Sequence, residues 1–354
     1  MYRLIRPFLF RLDPETAHAL TLHVLRFSGV ILPLNWAIAK TFAAPPKPVS
    51  AFGLTFRNPV GLAAGYDKDA VSVRGLAALG FGHIEVGTVT PRPQEGNPRP
   101  RLFRLVEDKA VINRMGFPGK GAEYVALSLR RALKGRRRNL LAKEDIASPA
   151  SQARNDTIIG VNLGKNKDTP LEHAAEDYLS LMRTFASLAD YLAINVSSPN
   201  TVGLRRLQGR EMLENLLSLI NVEYQTSHIK CPILVKLAPD LSDAELDDAV
   251  GIILDKKMDG IIATNTTLGR EGLQSRHREE IGGLSGSPLR VCSEAMLRKV
   301  VKRVAGRIPV VSVGGIMTPE DTKRRQDMGA TLVQVYTGLV YAGPGLVQKI
   351  IRAV

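Results

Sequence analysis

The sequence predicts a closed (β/α)8 barrel of parallel strands. From residue 51 onward eight short apolar runs recur, helical patterns fall between them, and Gly, Asn, Thr and Lys gather where the runs end. The runs cover 60–63, 83–87, 158–163, 191–196, 233–237, 260–263, 310–313 and 332–335. Amphipathic spacing predicts helices over 70–79, 171–189, 211–224, 243–256, 290–304 and 319–328. A doubly wound open sheet would place a Gly-rich turn after its first strand and a ribose-binding acid later, and neither is present. Segment 99–117 breaks the alternation, because "RPRLFRL" and "AVINRMGF" flank Glu107-Asp108-Lys109. It reads as a β-hairpin inserted above the barrel. Residues 139–155 read as a polar connection without evident chemistry.

Composition sets the bounds. The chain has 354 residues and is 44% hydrophobic, enough for a large core. An aromatic share of 5% argues against a base-stacking surface for nucleic acid. Cys231 and Cys292 have no metal-ligand spacing and read as free thiols in a reducing compartment, so no metal centre is expected. The net charge is +14, densest at Arg130, Arg131, Lys134, Arg136, Arg137 and Arg138. No nucleic-acid module accompanies that run, which reads as a solvated helix end and loop. Attraction to anionic lipid headgroups is the alternative.

Residues 1–45 differ from the rest. Helical spacing runs on both sides of Asp13-Pro14-Glu15, with Asp13 as N-cap and Pro14 at the first helical position. The second helix carries Ala17, Leu20, Val24 and Phe27 on one side. No window reaches the ~20 apolar residues of a spanning helix. Charges interrupt the apolar run, and no secretory cleavage site follows. The pattern fits a two-helix extension, lying either in a membrane interface or as a cap on the barrel. The Pro-rich stretch 43–50 reads as the linker to the barrel domain, 46–354.

In barrels of this kind, functional residues collect at the C-terminal ends of the strands. Here the runs end in "AAGYDKD", "VGTVT", "VNLGKNK", "NVSSPNTVG", "VKLAPD", "ATNTT", "VGGI" and "YTGL". Gly314-Gly315 and the Tyr336-Thr337-Gly338 turn allow close backbone approach to a phosphate, which suits a mononucleotide. Lys236 sits within an apolar strand, where an unpaired ammonium is expensive. It could pair with an anion, form a Schiff base as in a barrel aldolase, or stabilise charge on a reduced flavin. Asn113, Asn162, Asn195, Asn200 and Asn265 favour the last by offering neutral donor–acceptor pairs for a planar imide. Lys68 offers a cation for a carboxylate.

The strings "NPRPRLFRL", "NRMGF", "GVNLGKNK", "INVSSPNT", "KLAPD", "ATNTT", "GGLSG" and "VSVGGI" resemble the dihydroorotate dehydrogenase family, in order along the chain. The N-terminal "FRLDPETAH" resembles the extension of its quinone-dependent (class 2) branch. The soluble branch lacks that extension and commonly has a cysteine base where this chain has Ser198. The resemblance implies an FMN-dependent (β/α)8 TIM barrel that oxidises dihydroorotate to orotate and reduces a membrane quinone, ubiquinone or menaquinone. A soluble-type enzyme with another acceptor is the alternative.

It also implies residue roles. Ser198 is the base, and Thr201 and Phe117 belong to the proton path. FMN is held by Ala63, Ala64, Gly65, Tyr66 and Asp67, then by Thr88, Asn162, Asn195, Lys236 and Thr264. Its phosphate rests on Gly286, Gly315, Tyr336 and Thr337, with Ser285 and Gly314 adjacent. The substrate meets Lys68, Asn113, Arg114, Met115, Gly116 and Phe117, and also Asn195, Asn200, Asn265 and Thr266. His18, Arg104 and Tyr336 are the polar candidates for the quinone. The expected setting is peripheral contact with lipid at the cytoplasmic face of a bacterial inner membrane.

Overall fold

The computed structural model describes residues 2–134 and 157–354. Eight parallel strands close into a barrel in chain order: β1 (Val60–Leu62), β2 (His83–Val89), β3 (Ile158–Leu163), β4 (Tyr191–Asn195), β5 (Ile233–Leu237), β6 (Gly260–Ala263), β7 (Val310–Val313) and β8 (Leu332–Val335). Alternate residues have different destinations. Leu62, Ile84, Val86, Val161 and Val235 pack among the surrounding helices, while Ala63, Ile158, Tyr191, Leu234, Ile262 and Leu332 fill the barrel. The same period of two carries Glu85, Lys236 and Gln334 inward, because each lies two residues from an inward neighbour.

A hairpin of Val49–Ala51 and Leu54–Phe56 seals the bottom, turning through Phe52 and Gly53 and adding Ala51, Leu54 and Phe56 to the interior cluster. The stretch read as a linker, 43–50, thus ends inside a strand. Above this plug stands His83, which is fully buried, and neither ring nitrogen has a hydrogen-bond partner among the described residues. Burial pulls its pKa down from 6.5 to about 4. The unfolded chain therefore binds the proton first, and stability falls as pH drops from about 6.5 towards 4, by roughly 3 kcal/mol at the limit. Denaturation midpoints measured across this window should fall less steeply in His83→Phe; an identical slope would mean that His83 does not carry the effect.

The N-terminal extension contains three helices rather than the expected two: α1 (Tyr2–Arg11), α2 (Pro14–Val30) and α3 (Leu32–Thr41). Asp13 Oδ1 accepts from the Glu15 and Thr16 amides at 3.0 Å each, and Pro14 opens α2 as the spacing predicts. The chain leaves the helical region at Ile31, just before Leu32-Pro33, and α3 departs at 110° from α2. Leu25, Ser28 and Gly29 of α2 are buried, and α2 packs on the helix Val73–Ala78. A Cβ on Gly75 would stand 2.0 Å from the Leu25 carbonyl oxygen, so only glycine permits this crossing. Leu20, Val24 and Phe27 face outward, continuing the exposed Leu4 and Phe8 of α1 and Leu32 and Trp36 of α3. No single helix among the described residues is long and apolar enough to cross a membrane.

Other departures from the sequence reading have local causes. The helix expected over 70–79 starts at Val73, because the Asp67 carboxylate takes the amides of Val71 (2.9 Å) and Ser72 (2.8 Å) into a loop. The helix expected over 171–189 is a 3-10 turn, Leu171–His173, followed by Ala174–Phe185. A further helix, Gly121–Ala132, follows the inserted hairpin with Val125, Ala126 and Leu129 buried. The hairpin strands Leu102–Leu105 and Ala110–Asn113 gain a third, Gly283–Gly286, from far along the chain. At the basic run, Arg74 donates to the Arg131 and Ala132 carbonyls at the helix end. Arg136, Arg137, Arg138 and the connection 139–155 lie outside the described residues.

Candidate active site

A cavity of about 1210 Å³, measured out to its open mouth, lies at the C-terminal ends of the strands. Its floor is a polar network that the barrel's period assembles. Glu85, fully buried on β2, accepts from Asn162 Nδ2 (2.8 Å), Gln334 Nε2 (2.8 Å) and the Tyr191 hydroxyl (3.1 Å). Lys236 Nζ stands 3.6 Å from Glu85 Oε1 and reaches the cavity. Next to it, the Thr88 hydroxyl donates to Asn162 Oδ1 (2.5 Å), and Asn195 Nδ2 reaches both Thr88 Oγ1 and Asn162 Oδ1 at 3.0 Å. With each amide engaged on one side, the rim of this floor is held rigidly for a planar ring.

The roof comes from the loop after β4. Ser198 is buried, and its Oγ accepts from the Asn200 amide at 3.2 Å. Asn200 Nδ2 donates to Asn113 Oδ1 (2.9 Å), which joins this loop to the hairpin. Asn265 Nδ2 donates to Ser197 Oγ (3.0 Å) and Asn195 Oδ1 (3.3 Å), which joins it to β6. Thr201 Oγ1 is buried without a partner among the described residues.

The mouth is set by α2. Glu15 forms a bidentate bridge to Arg101 (2.7 and 3.1 Å) and lines the cavity, as does His18. His18 Nε2 lies 2.8 Å from the Tyr66 carbonyl, which can only accept, so Nε2 carries the proton. Burial, aided by Lys68, lowers the His18 pKa to about 4, leaving a neutral ring whose Nδ1 bears a lone pair. Lys68 Nζ donates to the Gly65 carbonyl at 2.8 Å. The protein mass around Lys68 brings it down to about 8, while Glu15 and Asp69 oppose that, so it is cationic at neutral pH.

At the other end lie Gly286, Gly314 and Gly315, all with positive φ, with Ser285 Oγ 2.8 Å from Thr337 Oγ1. A Cβ on Gly315 would stand 2.4 Å from Arg290 Cα, so this loop cannot carry a side chain.

The family model for dihydroorotate dehydrogenase matches residues 48–354. The chain belongs to the dihydroorotate dehydrogenase family. Family members are flavin-dependent. Relatives named dihydroorotate dehydrogenase (quinone) include one from Shewanella sp. (strain W3-18-1), 46% identical over 99% of this chain and 98% of its own. One from Halorhodospira halophila is 45% identical over 100% of this chain and 97% of its own. Among solved structures, DHODH from Eimeria tenella in complex with ferulenol is 35% identical, with a TM-score of 0.83 over 98% of this chain and 93% of that one. The match runs through the N-terminal helices as well as the barrel.

Within this family member, most of the sequence-derived site residues converge. Ser198, Lys68, Asn113, Asn195, Asn200, Asn265 and Thr266 line one cavity, as do Met115, Gly116 and Phe117. So do Ala63, Ala64, Gly65, Thr88, Lys236 and Thr264, and at the far end Gly286, Gly315, Tyr336 and Thr337. Six do not reach it, Thr201 of the roof loop among them. Asn162 stands behind Thr88 and Asn195. Tyr66 lies beneath, its ring edge against His18 and Tyr336. Asp67 caps the following loop, and burial raises its carboxyl to about 6. Arg114 turns away to Glu280 (2.6 Å). Arg104 holds the end of α1 by the Leu9 and Leu12 carbonyls, with its guanidinium over Phe10. Sequence reasoning missed Glu85 and Glu15. An acid inside the apolar run "HIEVG" was the available signal for the first; nothing local marked the second.

The donor set fits a flavin mononucleotide: a glycine-lined cradle for a phosphate, and neutral amides beside a buried lysine for a planar ring.

Proposed function

We propose that this chain oxidises (S)-dihydroorotate to orotate for de novo pyrimidine biosynthesis and passes the electrons through FMN to a membrane quinone. The observation that carries this reading is a single cavity lined both by Ser198 of the barrel loop and by His18 of the N-terminal extension. When bound, FMN would supply a two-electron acceptor for the hydride leaving C6 of dihydroorotate and, once reduced, a donor for the quinone. Ser198 Oγ takes the proton from C5, and Thr201 and Phe117 belong to its exit path. Lys68 holds the substrate carboxylate as a cation. Asn113, Asn200, Asn265 and Thr266 orient the ring amides, and the backbone of Arg114 to Gly116 borders them. The loop bearing Ser198 excludes water from the reacting carbons.

For the cofactor, Ala63, Ala64 and Gly65, supported by Tyr66 and Asp67, would bound one side of the flavin ring. Thr88, Asn195 and Thr264, with Asn162 holding the first two from behind, would bound the ring on the other side, and Lys236 would offset the charge that reduction places on it. Gly286, Gly315, Tyr336 and Thr337 hold the phosphate. His18 and Tyr336 face the quinone, and Arg104 keeps α1 in place beside it. Residues 1–45 form the quinone passage and the lipid contact, and 46–354 the catalytic barrel. The exposed Leu4, Phe8, Leu32 and Trp36, with Arg3, Arg11 and Lys40 on the same helices, suit an anionic lipid surface. The setting is the cytoplasmic face of a bacterial inner membrane, with no role for nucleic acid.

The test is anaerobic. Dihydroorotate should bleach the flavin absorbance of the purified protein, and a soluble quinone should restore it faster than fumarate or NAD. A colourless protein that turns over a Schiff-base substrate at Lys236 would overturn the reading.

A further inference from the structure

Arg325, on the helix Pro319–Asp327, is fully buried, yet no step above uses it. Its Nη2 lies 2.8 Å from the Gly314 carbonyl oxygen, 2.8 Å from Ser293 Oγ and 3.3 Å from the Arg290 carbonyl oxygen. Nη1 reaches Ser312 Oγ at 3.3 Å. Ser293 Oγ reaches the same two carbonyls, Gly314 at 2.9 Å and Arg290 at 3.0 Å. The Glu294 carboxylate stands 3.6 Å from Arg325 Nε and is shared with Arg324. Asp321 pairs with Arg324 and Arg290. Three guanidinium groups thus share two carboxylates behind the Gly314-Gly315 loop. Burying a guanidinium with an excess of positive charge is expensive, and an apolar side chain would pack the same space at less cost.

The peptide geometry shows where that charge acts. In a trans peptide the carbonyl and the following N–H point in opposite directions. The Gly314 carbonyl is drawn back to Arg325 and Ser293, so the Gly315 N–H is aimed the other way. Both glycines line the cavity, and no acceptor among the described residues takes the Gly315 N–H.

We propose that Arg325 is a positioning residue for the flavin phosphate: it pins the Gly314–Gly315 peptide with its N–H towards the anion and supplies positive potential from behind. This rests on the FMN reading above, and it adds a residue that does not touch the ligand.

The test compares FMN with riboflavin, which lacks the phosphate, using the full chain reversibly freed of flavin and flavin fluorescence as the readout. Arg325→Met should weaken FMN roughly 10- to 100-fold, as expected for charge-assisted hydrogen bonds, and leave riboflavin within about threefold. Arg325→Lys, which keeps the charge but loses the fork, should fall between. Equal weakening of both flavins, or no change in either, overturns the proposal. Should Arg325→Met fail to fold, Arg325→Lys decides alone, and an unchanged FMN preference overturns it. A wild-type chain that binds neither flavin would instead sink the FMN reading itself.

Discussion

Ser198→Ala should slow the reduction of bound flavin by dihydroorotate about 10²- to 10⁴-fold, the usual contribution of a positioned proton acceptor. Its flavin spectrum and its reoxidation by quinone should stay as in the wild type. Ser198 is suited to this selective effect because it lies in the roof of the cavity and not in the Lys236 floor. Its Oγ accepts from the Asn200 amide, which fixes the oxygen without consuming its own hydrogen. No carboxylate or imidazole bonds to it among the described residues. The hydroxyl must therefore be activated by substrate and enclosure rather than by a resident base, and the reduction rate should rise with pH. Anaerobic stopped-flow at the flavin band measures this directly. An unchanged rate would remove Ser198 from the mechanism, and loss of bound flavin would make its role structural.

Glu85→Ala is expected to destabilise the barrel by about 3–5 kcal/mol, the usual result of leaving one member of a buried ion pair alone. The carboxylate is the shared acceptor of Asn162, Tyr191 and Gln334 and the counter-charge of Lys236. Its removal leaves three buried donors without their acceptor and takes the counter-charge from Lys236 on the cavity floor. Burial also pushes the Tyr191 hydroxyl far above its ordinary pKa, so it stays a donor and cannot replace the lost charge. The paired replacement Glu85→Leu with Lys236→Met should recover much of the stability while still weakening flavin binding. Denaturant titration of the three proteins decides it. If the double variant is as unstable as Glu85→Ala, the pair is not the source of the cost.

Much of this protein is legible locally. The N-cap at Asp13, the eight apolar runs and the polar strand ends are readable because each depends on residues a few positions apart. Asn200, Lys236 and Asn265 stand out that way, Ser198 through the family resemblance, and one cavity gathers all four. Residues whose meaning lies in a distant partner were not found. Glu15 acquires a role only because Arg101, far along the chain, folds over it. Arg104, read as a polar candidate for the quinone, binds the carbonyls of Leu9 in α1 and of Leu12 just beyond it, partners that its own neighbours in the sequence do not reveal.

By itself, then, the sequence determined the (β/α)8 barrel, the face on which the chemistry sits and most of the side chains that line it, since period, caps and strand ends are local properties. Only the tertiary structure decided which charges stand opposite one another: Glu85 under Lys236, Arg325 behind Gly314, and a neutral His18 against the Tyr66 carbonyl. Barrel closure and helix packing bring these groups together from separate strands and helices and strip them of water. At that range Coulomb and hydrogen-bond energies depend on distance and burial, which residue order alone does not encode.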